Sequence, residues 1–225
     1  MEKLEQKLAG KVALVTGSAR GLGRAYAHRL ARLGADVIIN DIDLRAAEEF
    51  NEELTADTVM DECRAFGVRA LGIQADMSVK SEAARVVEEA VSELGSLDIL
   101  VNNAGGMLRP AERNSPSAMP EDDVRFILDM NLMSTVFSCQ AAVPVMRRSG
   151  WGRIVNVSSG AAVGALTRME CYGIAKAGII HYTRSLAREV APDGINVNCL
   201  APALIGTSRA FAQFPERRQA GKNIP

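Results

Sequence analysis

Short continuous apolar runs alternate along the chain with longer segments whose apolar positions recur every third or fourth residue. The runs suit strands buried on both faces, and the periodic segments suit helices that cover them. Strands are predicted at 12–16, 36–40, 69–74, 99–102, 153–157 and 195–200. Helices are predicted over 21–33, 55–66, 81–94, 121–148 and 172–190. Residues 43–54 are too polar and acidic to extend the helix that follows, and read as a surface loop. Pro110, Pro116 and Pro120 break the chain before the long helix. Strands alternating with helices predict an α/β fold, a doubly wound open parallel sheet with right-handed crossovers, in a single domain over 1–225.

Composition narrows the function classes. The chain's 225 residues, 48% hydrophobic and 24% charged, suffice for one core without disulfides. A formal net charge of -1 gives no pull toward nucleic acid or anionic lipid, which leaves a small molecule as the expected partner. Cys63, Cys139, Cys171 and Cys199 lie far apart without metal-ligand spacing, so no metal site is expected and reduced thiols suit the cytoplasm. His28 and His181 fall inside helical patterns, as packed or surface residues rather than ligands. Residues 1–10 are too polar for a signal peptide and no apolar run reaches membrane-spanning length, so a cytoplasmic protein without membrane contact is expected.

The first strand runs straight into Thr16-Gly-Ser-Ala-Arg-Gly-Leu-Gly23, which puts Gly17, Gly21 and Gly23 in a strand-to-helix turn. Glycines admit a close phosphate, and the helix start supplies N–H groups and a positive dipole end. The turn is therefore a candidate pyrophosphate cradle; a glycine turn made only for tight packing is the alternative. Three residues separate Gly17 from Gly21, so this is not the G-x-G-x-x-G fingerprint. Asp41, 18 positions beyond Gly23, is placed to accept hydrogen bonds from a ribose, as in a Rossmann-type dinucleotide-binding fold, or to serve as a plain turn residue. In Tyr172-Gly-Ile-Ala-Lys176 a phenol and an amine share one helix face. An ammonium one turn away lowers a phenol's ordinary pKa of about 10 and makes it an acid/base group. A packed ring beside a solvated charge is the bland alternative. Nothing near Cys171 supplies a base that would make it reactive.

From residue 10 onward these motifs resemble the short-chain dehydrogenase/reductase family in its single-domain form. Thr16 to Gly23 resembles its glycine loop, Asp76 its adenine-contacting acid, and Asn102-Asn-Ala-Gly105 its Asn-Asn-Ala-Gly turn. Asn131 matches the family's catalytic Asn, and Ser159, 13 positions before Tyr172, its catalytic Ser; that interval favours Ser159 over Ser158. The resemblance implies that Tyr172 handles a hydroxyl proton, Ser159 hydrogen-bonds the substrate oxygen, and Lys176 binds the nicotinamide ribose. Asn131 either holds a water linking Lys176 to solvent or is a buried, backbone-satisfied group. Further implied cofactor contacts are Gly17, Ser18, Arg20, Gly21, Leu22 and Gly23, then Asp41, then Asp76 with Met77. Asn103, Ala104 and Gly105 add to them, with Tyr172 and Lys176. Pro202, Ile205 and Thr207 complete the set, with Ala203 standing where the family usually has glycine.

The implied reaction is hydride transfer between NAD and a secondary alcohol or ketone. Asp41 favours NAD; Arg20 favours NADP and a ketone reductase, such as one for 3-oxoacyl thioesters. A catalytically silent dinucleotide-binding protein is the reading from another class. Residues 203–225, with Arg209, Phe211, Phe214, Arg217 and Arg218, are the expected substrate cover, and the resemblance implies a further helix and a seventh strand. Arg109 and Arg168, with Arg209, serve as clamps for a carboxylate or phosphate, or as surface charges. The helices at 121–148 and 172–190 carry apolar residues on more than one stripe, and the resemblance implies a homotetramer built on them.

Overall fold

Every residue of Val12–Thr16 (β1) is buried, as a strand covered on both faces must be. β1 lies inside a six-stranded sheet of order β3-β2-β1-β4-β5-β6. The other strands are Asp36–Asp41 (β2), Ala70–Gln74 (β3), Ile99–Asn102 (β4), Gly152–Val157 (β5) and Ile195–Leu200 (β6). All neighbouring pairs are parallel. The helices are Gly21–Arg32 (α1), Ala46–Glu49 (α2), Val59–Arg64 (α3), Lys80–Leu94 (α4), Glu121–Leu128 (α5), Ser134–Ser149 (α6) and Glu170–Val190 (α7). This computed structural model describes residues 6–107, 113–164, 169–203 and 205–207.

The two-residue period of β1 divides the core. Leu14 enters a cluster with Ile38, Leu100, Ile154, Val86, Met146 and Leu186, on the face covered by α4, α6 and α7. Ala13 and Val15 enter another with Val37, Ile39, Ala27, Ala31 and Cys63, under α1 and α3. The result is a single α/β domain with helices on both faces of a parallel sheet.

Three elements depart from the sequence expectation. The segment 43–54 contains the short helix α2. The helix expected from Thr55 begins at Val59, because Thr58 caps it by accepting from the Asp61 N–H. Thr55 is drawn aside, its N–H and hydroxyl both donating to Glu62 Oε1, at 2.6 and 2.8 Å. The helix expected at 121–148 is interrupted by a π-helical turn at Asp129–Met133.

Residues 121–149 also correct the expectation that no run reaches membrane-spanning length. They form a helical run of 29 residues, apolar enough by length and composition to cross a membrane. Ser138, Cys139, Ala142, Val143 and Met146 of that run are buried, and the last four belong to the core cluster under the sheet. The run's apolarity is that of a core helix.

Candidate active site

The C-terminal ends of the parallel strands converge on one edge of the sheet. There β1 turns into α1 through backbone that only glycine adopts readily, with φ of 63° at Gly17 and 58° at Gly21. A Cβ on Gly17 would lie 2.8 Å from Ala104 Cα. One on Gly23 would overlap the Gly17 carbonyl and lie 2.7 Å from Asn103 Nδ2. The turn after β4 is thus fastened to the turn after β1. Asn103 Nδ2 donates to the carbonyls of Thr16 and Gly17, at 3.2 and 2.9 Å. Thr16 Oγ1 accepts from the amides of Asn103 and Ala104, both at 3.0 Å.

Three residues expected to touch a cofactor have side chains engaged within the protein. Ser18 is buried; its amide donates to the Asn40 carbonyl at 2.9 Å and its Oγ to the Val15 carbonyl at 2.7 Å. The Met77 side chain belongs to the core cluster. The Asn103 amide group is committed to the glycine turn, as above. The side chains of Ser18 and Asn103 hold the turns in place and that of Met77 fills the core, which leaves backbone groups as the part of these residues that can face a ligand.

At the end of β2, Asp41 Oδ2 accepts from the Ala19 N–H at 3.1 Å and Oδ1 from the Ile42 N–H at 2.9 Å. Burial raises its pKa above the usual carboxylate value, against the pull of the Ala19 N–H and the Arg20 charge. The Arg20 guanidinium stacks 4.1 Å above the Phe50 ring. Asp76, at the neighbouring end of β3, is exposed, its Oδ1 accepting from the amide and hydroxyl of Ser78.

A residue that the sequence reading passed over sits at the start of α1. Glu52, from the segment read as a surface loop, accepts from the Gly21 N–H through both carboxylate oxygens, at 3.0 and 2.9 Å. Its side chain is 7% exposed and lies 3.6 Å from the Arg24 guanidinium. The available signal was indirect: Arg20 makes no side-chain cap and the first turn of α1 holds no acidic residue. Arg24 also binds Glu62, at 2.6 and 2.8 Å, and His28 Nε2 lies 2.9 Å from the same carboxylate. Burial works against ionisation of Glu62, but the bonds from Arg24 and Thr55 outweigh it and hold the pKa at about 2.

On the other side of the edge, Lys176 is buried and its Nζ donates to the Val157 carbonyl at 2.9 Å. The same Nζ lies 5.5 Å from the centre of the Tyr172 ring, so the helical spacing does bring phenol and amine together. The two serines separate by environment. Ser158 is buried with its hydroxyl donating to the Lys176 carbonyl at 2.7 Å. Ser159 is half-buried and caps the one-turn helix Gly160–Ala162, its Oγ accepting from the Ala161 N–H. That short helix approaches α7 where Gly173 has no side chain; a Cβ there would lie 2.9 Å from the Ala161 carbonyl oxygen. Cys171 is buried, and burial together with the nearby Asp123 charge pushes its thiol pKa up, as an unreactive cysteine requires.

Asn131 lies in the π turn and is fully buried. Its Oδ1 accepts from the Gly106 N–H, and its Nδ2 donates to the carbonyls of Gly106 and Ile127. These bonds satisfy the side chain and hold the 105–106 backbone against α5. After β6, the Pro202 carbonyl accepts from the Gly160 N–H at 2.8 Å. Thr207 reaches the glycine turn, its Cβ 3.9 Å from where a Gly21 Cβ would stand, while Ile205 is exposed. Arg109, Arg168, Arg209, Phe211, Phe214, Arg217 and Arg218 lie outside the described residues.

Comparison with known proteins agrees with this geometry. The family model for short chain dehydrogenase matches residues 11–218. Cyclohexanol dehydrogenase of Rhodococcus sp. (strain TK6) is 44% identical over 211 residues, covering 90% of this chain and 77% of that protein. A 3-oxoacyl-(acyl-carrier-protein) reductase of Aquifex aeolicus is 36% identical over 219 residues, covering 97% of this chain and 84% of that one. The crystal structure of NAD+-bound xylitol dehydrogenase superposes with a TM-score of 0.79 at 31% identity, over 89% of this chain and 72% of the other. A glycine turn fastened to the β4 turn, with a phenol and a buried amine across the same sheet edge, is thus carried by a chain that belongs to the short-chain dehydrogenase family of oxidoreductases.

Proposed function

We propose that the protein is an NAD-dependent dehydrogenase acting on a secondary alcohol, with Tyr172 as its general acid/base. The observation that carries this reading is the buried Lys176 ammonium beside the Tyr172 ring, fixed by the Val157 carbonyl. A fixed positive charge favours the phenolate, so Tyr172 can take a proton from an alcohol and return it to a ketone near neutral pH. Ser159 is the candidate donor to the substrate oxygen, since the Ser158 hydroxyl is committed to the backbone of α7. Asn131 supports the 105–106 backbone beneath this corner.

The glycine turn fits a dinucleotide because the Gly21 N–H already holds an anionic group, while Gly17 and Gly23 are required by close packing of the turn against itself and the β4 turn. When bound, the nicotinamide supplies the hydride acceptor or donor. Gly17, Gly21 and Gly23 would cradle the pyrophosphate with Thr207 nearby, and Asp41 would accept from the adenosine ribose hydroxyls. A 2′-phosphate there would face the Asp41 carboxylate, which favours NAD over NADP. Arg20 supports the second reading, an NADPH-dependent ketone reductase, because a guanidinium close to Asp41 could receive that phosphate. The similarity to cyclohexanol dehydrogenase supports a secondary alcohol as the substrate class.

The four free cysteines suit a reducing cytoplasm. A homotetramer is supported by α6, where Phe137, Ala141 and Val145 form a half-buried stripe beside the core stripe. Titrating the protein with NAD and NADP, then following reduced-nicotinamide absorbance over a panel of alcohols and ketones, tests the activity. Equal affinity for the two cofactors would move the reductase reading ahead.

A further inference from the structure

We propose that Glu52 is an internal competitor for the anion site at the start of α1, so that a dinucleotide binds by displacing its carboxylate. The inference rests on the dinucleotide reading above, and it makes the 50–55 segment a determinant of cofactor affinity.

A helix start leaves N–H groups that need acceptors and presents a positive dipole end. In α1 the local sequence supplies no acceptor: the N-cap is Arg20, and the first turn has no acidic residue. The acceptor comes instead from 31 positions further on, where Glu52 grips the Gly21 N–H with both oxygens. A carboxylate presents to that site what a phosphate would, a negative charge and paired acceptor oxygens. It is also well sheltered, with 7% of the side chain exposed and the Arg24 guanidinium 3.6 Å away. Thr207 packs against the same glycine. A phosphate brought to this turn therefore meets an anion already seated on its donor, and the two like charges cannot share it.

The segment is held so that this one side chain can leave while the rest stays. Arg24 Nη2 donates to the Glu53 carbonyl at 3.0 Å, and Thr55 is tied to Glu62 through its N–H and hydroxyl. Neither attachment involves the Glu52 carboxylate, and Glu62 keeps Arg24 in place through two bonds of its own.

Binding titrations of the full chain decide the matter, with NADH, ADP-ribose and adenosine as ligands for the unmodified protein and for Glu52→Gln. Removing the charge should tighten NADH and ADP-ribose by about tenfold and leave adenosine, which has no phosphate, unchanged. A cap with only a structural role gives the opposite pattern, a lower melting temperature with affinities unchanged or weaker, and that result overturns the proposal. Amide hydrogen exchange on the unmodified protein gives a second readout that needs no variant. Saturating NADH should protect residues 17–24 and leave exchange in 50–55 unprotected. Protection of both segments together would overturn the displacement. If neither protein binds any nicotinamide dinucleotide, this inference falls together with the reading beneath it. Ordinary NADH binding that is insensitive to Glu52→Gln overturns the inference alone.

Discussion

The two sides of the sheet edge are built by different means. On one side, Tyr172 and Lys176 stand a turn apart on α7, and the carbonyl and hydroxyl that fix Lys176 come from β5 and the residue just after it. On the other, the start of α1 is completed by Glu52 from the segment after β2, with Arg24 of α1 held by Glu62 of α3. The first corner is local geometry on a buried helix. The second is a set of charge-assisted bonds between residues tens of positions apart, and under the displacement proposed above only its Glu52 member moves. Proton chemistry needs the fixed corner, whereas admission of a charged ligand suits the adjustable one.

Breaking the fixed corner should have the largest effect. Tyr172→Phe is expected to cut turnover by about a thousandfold or more while cofactor affinity stays within about threefold. Steady-state rates beside a cofactor titration check it, and near-normal turnover would remove the phenol from the mechanism. The serines sharpen the same point. Ser159→Ala should lower turnover by about a hundredfold. Ser158→Ala should instead cost roughly 1 kcal/mol of stability, seen as a lower denaturation midpoint, with turnover little changed.

The adjustable corner should answer to acid. The Glu62 pKa falls from its ordinary 4.5 to about 2 in the folded protein. A carboxyl so depressed stabilises the fold above pH 4.5, and that contribution is lost as pH falls from 4.5 toward 2. The loss should be on the order of 3 kcal/mol, and Glu62→Gln should flatten this part of the stability curve measured by urea denaturation. A variant that keeps the same acid dependence would show that Glu62 is not the group responsible. The smallest effect is on cofactor choice. NAD should bind about tenfold tighter than NADP, and Asp41→Ala should narrow that gap mainly by improving NADP, read by fluorescence titration.

The contrast between the corners also explains what was legible in the sequence. All six strands and the parallel sheet followed from apolar runs, because burial on both faces leaves little room for polar residues. The Tyr172 and Lys176 pair followed from helical spacing. The choice of Ser159 over Ser158 rests on an interval; what the sequence did not show is that Ser158 is buried with its hydroxyl on the Lys176 carbonyl. Glu52 could not be read this way, since a glutamate among other acidic residues carries no sign of a partner 31 positions earlier. The late start of α3 has the same origin, for Thr55 is held by Glu62 and the cap falls to Thr58. The π turn at Asp129–Met133 was hidden because an apolar period runs through it unbroken; what marks it in the structure is the set of bonds from Asn131 to Gly106.

The most direct test of the central claim follows an isotope. A panel of secondary alcohols carrying deuterium on the carbinol carbon is incubated with the unmodified protein and NAD+, and the reduced cofactor is analysed by mass spectrometry. Direct transfer predicts a reduced nicotinamide with one deuterium, formed by the unmodified protein and almost absent with Tyr172→Phe. Reduced cofactor without the label, or equal labelling by Tyr172→Phe, would contradict hydride transfer governed by the Tyr172 and Lys176 pair.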